Sequence, residues 1–112
     1  MEIPEGVERI SLDAFAKCGL KRISLPSTLK ALERGVFFDC DSLEEITIPA
    51  SVKEIGDYIF YECDNLKEVY NHAPTPQPIN MIINSKGVKV HVPATSLEAY
   101  KRDFSWQKYN IV

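Results

Sequence analysis

The 112-residue chain has no basic excess, no long apolar run and no even set of cysteines. Its 13 Lys and Arg against 16 Asp and Glu leave a net charge of −3, with a pI near 5.4. A nucleic-acid footprint would show as a basic patch and a high pI, so no nucleic-acid partner is read. No apolar stretch approaches the ~20 residues that cross a bilayer, so no membrane-spanning segment is read either. Residues 1–5 have neither a basic start nor an apolar h-region, and no signal peptide is read there. The chain is then expected to be cytosolic or a mature or excised fragment. Gly-rich phosphate loops, Gly-x-Ser-x-Gly, His-Glu-x-x-His and calcium-loop patterns are missing, as is any Asn-x-Ser/Thr sequon. A catalytic site needs converging groups. His72 and His91, the two histidines, have none that the sequence places beside them. The expectation is a non-enzymatic protein with no catalytic residues, metal ligands or cofactors.

What is present is a repeat. Apolar content of 45% and charged content of 26% suit a soluble globular chain, and the length suits one domain, residues 1–112. The three cysteines, Cys18, Cys40 and Cys63, are spaced by 22 and 23 residues. The prolines Pro4, Pro26 and Pro49 mark the same period. Counting on from each proline, the third residue is Val7, Leu29 or Val52 and the sixth is Ile10, Leu32 or Ile55. The tenth is Ala14, Val36 or Ile59, the eleventh Phe15, Phe37 or Phe60, and the fourteenth the cysteine. Leu20, Leu43 and Leu66 follow, then Ile23, Ile46 and Val69. A period of this size is the mark of a solenoid, in which neighbouring units bury one another's apolar face.

Each unit reads as strand, turn, short second strand, and a short helical or 3₁₀ turn. The Ile-x-Ile and Ile-x-Leu pairs alternate as a half-buried strand does. The Ala/Val/Ile-Phe-x-x-Cys segment puts apolar groups at i, i+1 and i+4, which suits one turn of helix packed inward. The phenylalanines and cysteines are read as a structural spine. Cysteine is among the residue types most often found buried. The units run approximately over 3–25, 26–48 and 49–71. Gly56 has Ser11 and Glu33 as counterparts, so a tight turn there is not read as obligatory.

Residues 72–87 begin with Pro74, Pro76 and Pro78 and are read as an irregular connection, ending in an Asn84–Gly87 turn signal. Residues 88–112 are read as a final strand, Val88 to Val92, and a cap. Thr95-x-x-Glu98 reads as a capping box opening a short helix. That helix would carry Leu97, Tyr100 and Phe104 on its packed face, with Trp106, Tyr109 and Ile111 after it.

Cys-x-x-Leu-x-x-Ile-x-Ile-Pro-x-x-Val-x-x-Ile-Gly-x-x-x-Phe-x-x-Cys, from Cys40 to Cys63, resembles the leucine-rich repeat of the BspA-like (Treponema pallidum-type) class. The likeness covers residues 3–70, and residues 92–111 resemble the closing segment found after such repeats. It implies an α/β repeat fold: a right-handed leucine-rich-repeat solenoid of about three 22–23-residue repeats, with a parallel sheet on one face and a C-terminal cap. It also implies a bacterial cell-surface or secreted protein, or one of a parasitic protist, with adhesion to a host or matrix protein. The compartment would then be extracellular or cell-surface. Because Met1–Pro4 enters in mid-unit, the chain is expected to be the C-terminal part of a longer array.

In the strand frame the positions flanking the first Ile point outward. They are Arg22 and Ser24, Glu45 and Thr47, Glu68 and Tyr70, and Lys89 and His91, and they form the expected interaction face. Two other readings stand beside it. One is a structural spacer that displays another domain. The other is a carbohydrate-binding accessory module, which requires Tyr70, Tyr100 and Trp106 to be exposed together.

Overall fold

The computed structural model describes residues 1–112. In chain order the elements are β1 (Arg9–Ile10), β2 (Ala31–Leu32), β3 (Glu45–Ile48), β4 (Glu54–Ile55), β5 (Glu68–Asn71), β6 (Lys89–His91), a 3₁₀ turn (Ala94–Ser96), α1 (Leu97–Arg102) and β7 (Asn110–Ile111). The strands form two parallel ladders, β3-β5-β6-β7 and β1-β2-β4. A bridge between Glu2 and Ser24 extends the first ladder toward the N-terminus. The chain therefore coils as a parallel β-solenoid of about five turns, since its six passes through the long ladder enclose five. This is the expected fold, with two irregular turns added to the three regular ones.

Alternation decides which face of the long ladder is core. Ile46, Ile48, Val69 and Val90 point inward and are buried, while the residues between them point out. Register is exact along the ladder: Glu45, Glu68, Lys89 and Asn110 align, as do Thr47, Tyr70 and His91. Inside, the Phe15, Phe37 and Phe60 rings stack with centroids 6.0 and 5.9 Å apart. Beside them the thiols form a second column. Cys40 Sγ donates to the Phe15 carbonyl and Cys63 Sγ to the Phe37 carbonyl, each at 3.1 Å. Each thiol thus satisfies a backbone acceptor of the preceding turn. All three cysteines are free; Cys40 and Cys63 are buried and Cys18 half-buried. Burial pushes the Cys18 thiol up.

The segment before each cysteine is not helical, contrary to the sequence expectation. It is a third ladder folded into turns. The N–H groups of Asp13, Phe15 and Lys17 donate to the carbonyls of Arg34, Val36 and Phe38 in the next turn. Those of Gly35, Phe37 and Asp39 donate onward to Asp57, Ile59 and Tyr61. The N–H groups in between bond back three residues, as Ala14 to Ser11 and Cys18 to Phe15. Left-handed backbone at Asp13, Lys17, Gly35, Asp39, Tyr58 and Glu62 makes this possible. A helix would aim every N–H along its own axis; the alternation sends every second one along the solenoid, where the next turn supplies an acceptor. The i, i+1, i+4 apolar pattern survives, with Val36, Phe37 and Cys40 fully buried.

Gly56 is needed for space rather than for a turn. A Cβ there would lie 2.4 Å from the Arg34 nitrogen.

Across residues 72–91 the second ladder ends, because Pro74, Pro76 and Pro78 carry no N–H to continue it. Side chains take over. Gln77 Nε2 donates to the Val52 carbonyl at 3.2 Å and to Asn71 Oδ1 at 3.1 Å. Asn71 Nδ2 donates to Gln77 Oε1 at 2.8 Å and to the Tyr100 hydroxyl at 3.1 Å. Tyr100 donates to the Ala73 carbonyl at 2.7 Å, and Trp106 Nε1 to the Gln77 carbonyl at 2.8 Å. Further on, the third ladder resumes: Tyr58 and Phe60 donate to Met81 and Ile82, and Phe60 bridges to Ile83.

The cap differs from its expectation in two details. Thr95 makes no capping box. Pro93 is the cap of a 3₁₀ turn, Thr95 lies inside that turn, and no side chain caps either helical segment. Ser96 Oγ instead donates to the Pro74 carbonyl at 2.6 Å. Phe104 is not on the packed face but 88% exposed. The helix stops at Arg102, and Asp103 Oδ1 accepts the N–H groups of Ser105 and Trp106 at 2.9 and 3.2 Å. That turn directs Trp106 into the core and leaves Phe104 outside.

Candidate interaction face

The long ladder carries the eight predicted site residues on one surface in two rows. Strand register sets the rows, and cross-strand neighbours at this spacing interact directly. In the first row Arg22 Nε lies 3.4 Å from Glu45 Oε1, and Arg22 also reaches Glu44 at 3.7 Å. Glu68 and Lys89 continue the row. In the second row Ser24 and Thr47 are exposed, and Tyr70 and His91 are half-buried. Tyr70 and His91 stack with centroids 4.5 Å apart and planes inclined by 14°. His91 Nε2 sits 2.6 Å from Glu68 Oε1, joining the two rows.

The surface has two shallow hollows. One lies over Arg22, Ser24, Glu45 and Thr47. The other is bounded by Tyr70, His72, His91, Val92 and Pro93. His72, exposed at the edge, is thereby brought beside His91. No group of three His, Cys, Asp or Glu side chains is placed to hold a metal ion. No helix is long and apolar enough to cross a membrane.

The carbohydrate reading built on Tyr70, Tyr100 and Trp106 is overturned. Tyr100 and Trp106 are fully buried, held inside by their own hydrogen bonds to the proline-rich turn. Burial pushes the Tyr100 hydroxyl up to about 12, so it remains a neutral donor.

The outer face of the second ladder is self-satisfied. Arg9 bridges Glu33 at 3.1 Å and Glu54 at 3.4 Å, tying three turns together.

The third ladder carries a surface that the repeat pattern hid. Leu12, Asp13, Arg34, Gly35, Phe38 and Tyr58 line a groove of about 420 Å³ there. A signal for it exists in the sequence: Tyr58 occupies the unit position held elsewhere by Asp13 and Gly35, residue types that accept left-handed backbone.

A family model described as a BspA type leucine rich repeat region of 6 copies matches residues 1–102. The chain belongs to the BspA-type leucine-rich repeat family. No curated protein matches it. Among solved structures, it is similar to a leucine-rich repeat protein from Eubacterium ventriosum, with 24% identity and a TM-score of 0.67 over 85% of this chain and 28% of that one. It is also similar to the pneumococcal vaccine antigen PcpA, with 24% identity and a TM-score of 0.66 over 98% of this chain and 33% of that one. The BspA-type chain thus spans about a third or less of the length of these relatives. At this identity the likeness bears on fold.

Proposed function

We propose that this BspA-type array is a non-enzymatic protein-interaction module of a bacterial surface or secreted protein, and that it binds through the outward face of the long ladder. The observation that carries the reading is the Tyr70–His91 stack, set beside a hollow walled by His72, Val92 and Pro93. Interface hot spots favour such rigid aromatic anchors with a surrounding polar rim. Arg22, Glu45, Glu68 and Lys89 provide that rim, and Ser24 and Thr47 leave a low shelf beside the Tyr70 ring. Surface exposure is supported by the likeness to PcpA, which is a vaccine antigen, and adhesion to a host or matrix protein is the role proposed with it.

A second reading is favoured by one observation. Arg22 and Glu68 already have partners within the ladder, so the rim charges are partly satisfied without a ligand. In that case the module is a spacer or end-piece displaying another domain.

Joint substitution of Arg22, Glu45, Glu68 and Tyr70 by alanine separates the two. Binding to a panel of immobilised extracellular-matrix proteins is measured by surface plasmon resonance, with circular dichroism as the fold control. The interaction reading expects binding by the parent chain and its loss in the folded variant. Unchanged binding, or none by either chain, leaves the spacer.

A further inference from the structure

We propose that the groove on the third ladder is a carbohydrate-binding site for a neutral pyranose ring, on a face separate from the long sheet. Three features converge there. The first is an interruption in a column of side chains. Asp13, Gly35 and Tyr58 hold equivalent positions in successive turns, joined through the Asp13-to-Arg34 and Gly35-to-Asp57 backbone bonds. Gly35 contributes no side chain, so the column opens between a carboxylate and an aromatic ring. Asp13 Oδ1 leans into that opening, 2.1 Å from where a Gly35 Cβ would stand.

The second feature is strain. Tyr58 has φ +64, and a bulky side chain in that region costs on the order of 1–2 kcal/mol. Glycine or aspartate would hold the same backbone at lower cost, as Gly35 and Asp13 do. The left-handed backbone itself recurs at Asp13, Lys17, Asp39 and Glu62 as part of the ladder; what is particular to Tyr58 is the bulky ring carried on it. The Tyr58 ring is fixed in place by its neighbours. Tyr61 packs edge-on at 4.8 Å, and the Arg34 guanidinium lies 5.4 Å from the ring centroid.

The third feature is a pair of charged groups free of ion pairs. Neither Asp13 nor Arg34 takes part in any ion pair of the chain. Beside them lie Phe38, half-buried, and Leu12, 58% exposed. The groove therefore offers a charged acceptor, a charged planar donor and apolar ring surface within one sugar-sized volume of about 420 Å³. The charges select the ligand. Asp13 and Arg34 carry opposite charges that offset each other, so the groove favours neither a cation nor an anion. A sugar is neutral, each hydroxyl both donates and accepts, and its C–H face packs on an aromatic ring.

The test is saturation-transfer NMR on the full chain with short neutral gluco-, manno- and galacto-oligosaccharides. Tyr58→Gly and Asp13→Gly remove the two walls while keeping residues that accept positive φ, and circular dichroism checks that both fold. Transfer to the ring protons of at least one series is expected, with affinity falling about tenfold or more in each variant, a loss of ~1.4 kcal/mol. Lys101→Ala, exposed on α1, should leave binding unchanged. Absence of transfer to every series overturns the proposal. So does transfer that survives both glycine variants, or Asp13-dependent binding of an arginine-containing peptide in place of the sugars.

Discussion

Residues 26–71 and residues 72–91 close turns of the same solenoid by different physics. In the first region the backbone supplies all three ladders, and the interior is apolar: Leu29, Val36, Phe37, Leu43, Ile59 and Leu66 are fully buried. In the second, three prolines silence one ladder, and buried polar side chains replace it. Asn71 stands in register with Ile48, so an amide occupies what was a core position one turn earlier. A buried amide is tolerable only when its donors and acceptors are met, and Gln77, Tyr100 and the Ala73 N–H meet them. The repetitive part should therefore fail through lost volume, and the proline turn through lost hydrogen bonds.

Phe37→Ala should have the largest effect. It empties the centre of the ring column and costs about 3–5 kcal/mol, measured by urea unfolding. Phe15→Ala, at the half-buried end of the column, should cost clearly less. Equal losses would mean that the column is not what holds the turns together.

The proline turn should respond to alkali. The Tyr100 hydroxyl is raised from the ordinary tyrosine value of 10.0 to about 12 by burial. Its neutral form is thus favoured by folding, and the associated stability is fully present below about pH 10 and is lost as pH rises toward 12. The loss is on the order of 2–3 kcal/mol. Thermal unfolding across that range should show it in the parent chain and lack that part in Tyr100→Phe. At neutral pH Tyr100→Phe should itself cost about 1–3 kcal/mol, because the Ala73 carbonyl is left without its donor.

Gly56→Ala should cost about 1–3 kcal/mol, since its Cβ meets the Arg34 backbone at 2.4 Å. Gly19→Ala, with open space around it, should be close to neutral. The smallest effect belongs to the exposed rim: Arg22→Ala should change stability by less than about 1 kcal/mol. Its effect would appear in binding, where the proposed function places it.

The regular turns were legible because their information is local and repeated. Phe15, Phe37 and Phe60 at one phase, and alternation at Ile46 and Ile48, identify core and face without reference to anything distant. The same periodicity concealed what does not repeat. The apolar residues around Phe37 point inward as their spacing predicts, yet the backbone between them is a folded ladder, since spacing alone does not distinguish one helical turn from alternating turns. The outward rows were legible in membership. The Tyr70–His91 stack and the Glu68–His91 bond were not, because they depend on strand register between turns.

By itself the sequence determined the period, the spine, the parallel coil and which strand positions face out. Those follow from side-chain alternation and from the need of each turn to bury its one apolar face on the next. Only the tertiary structure decided that Asn71, Gln77, Tyr100 and Trp106 meet. It also decided that Trp106 goes in while Phe104 stays out, and that Tyr58, Arg34 and Asp13 share a groove. These residues come from different turns, and no local pattern links them. Their proximity is set by the stacking of whole coils, which brings together residues of neighbouring turns that lie 21 to 29 positions apart in the chain.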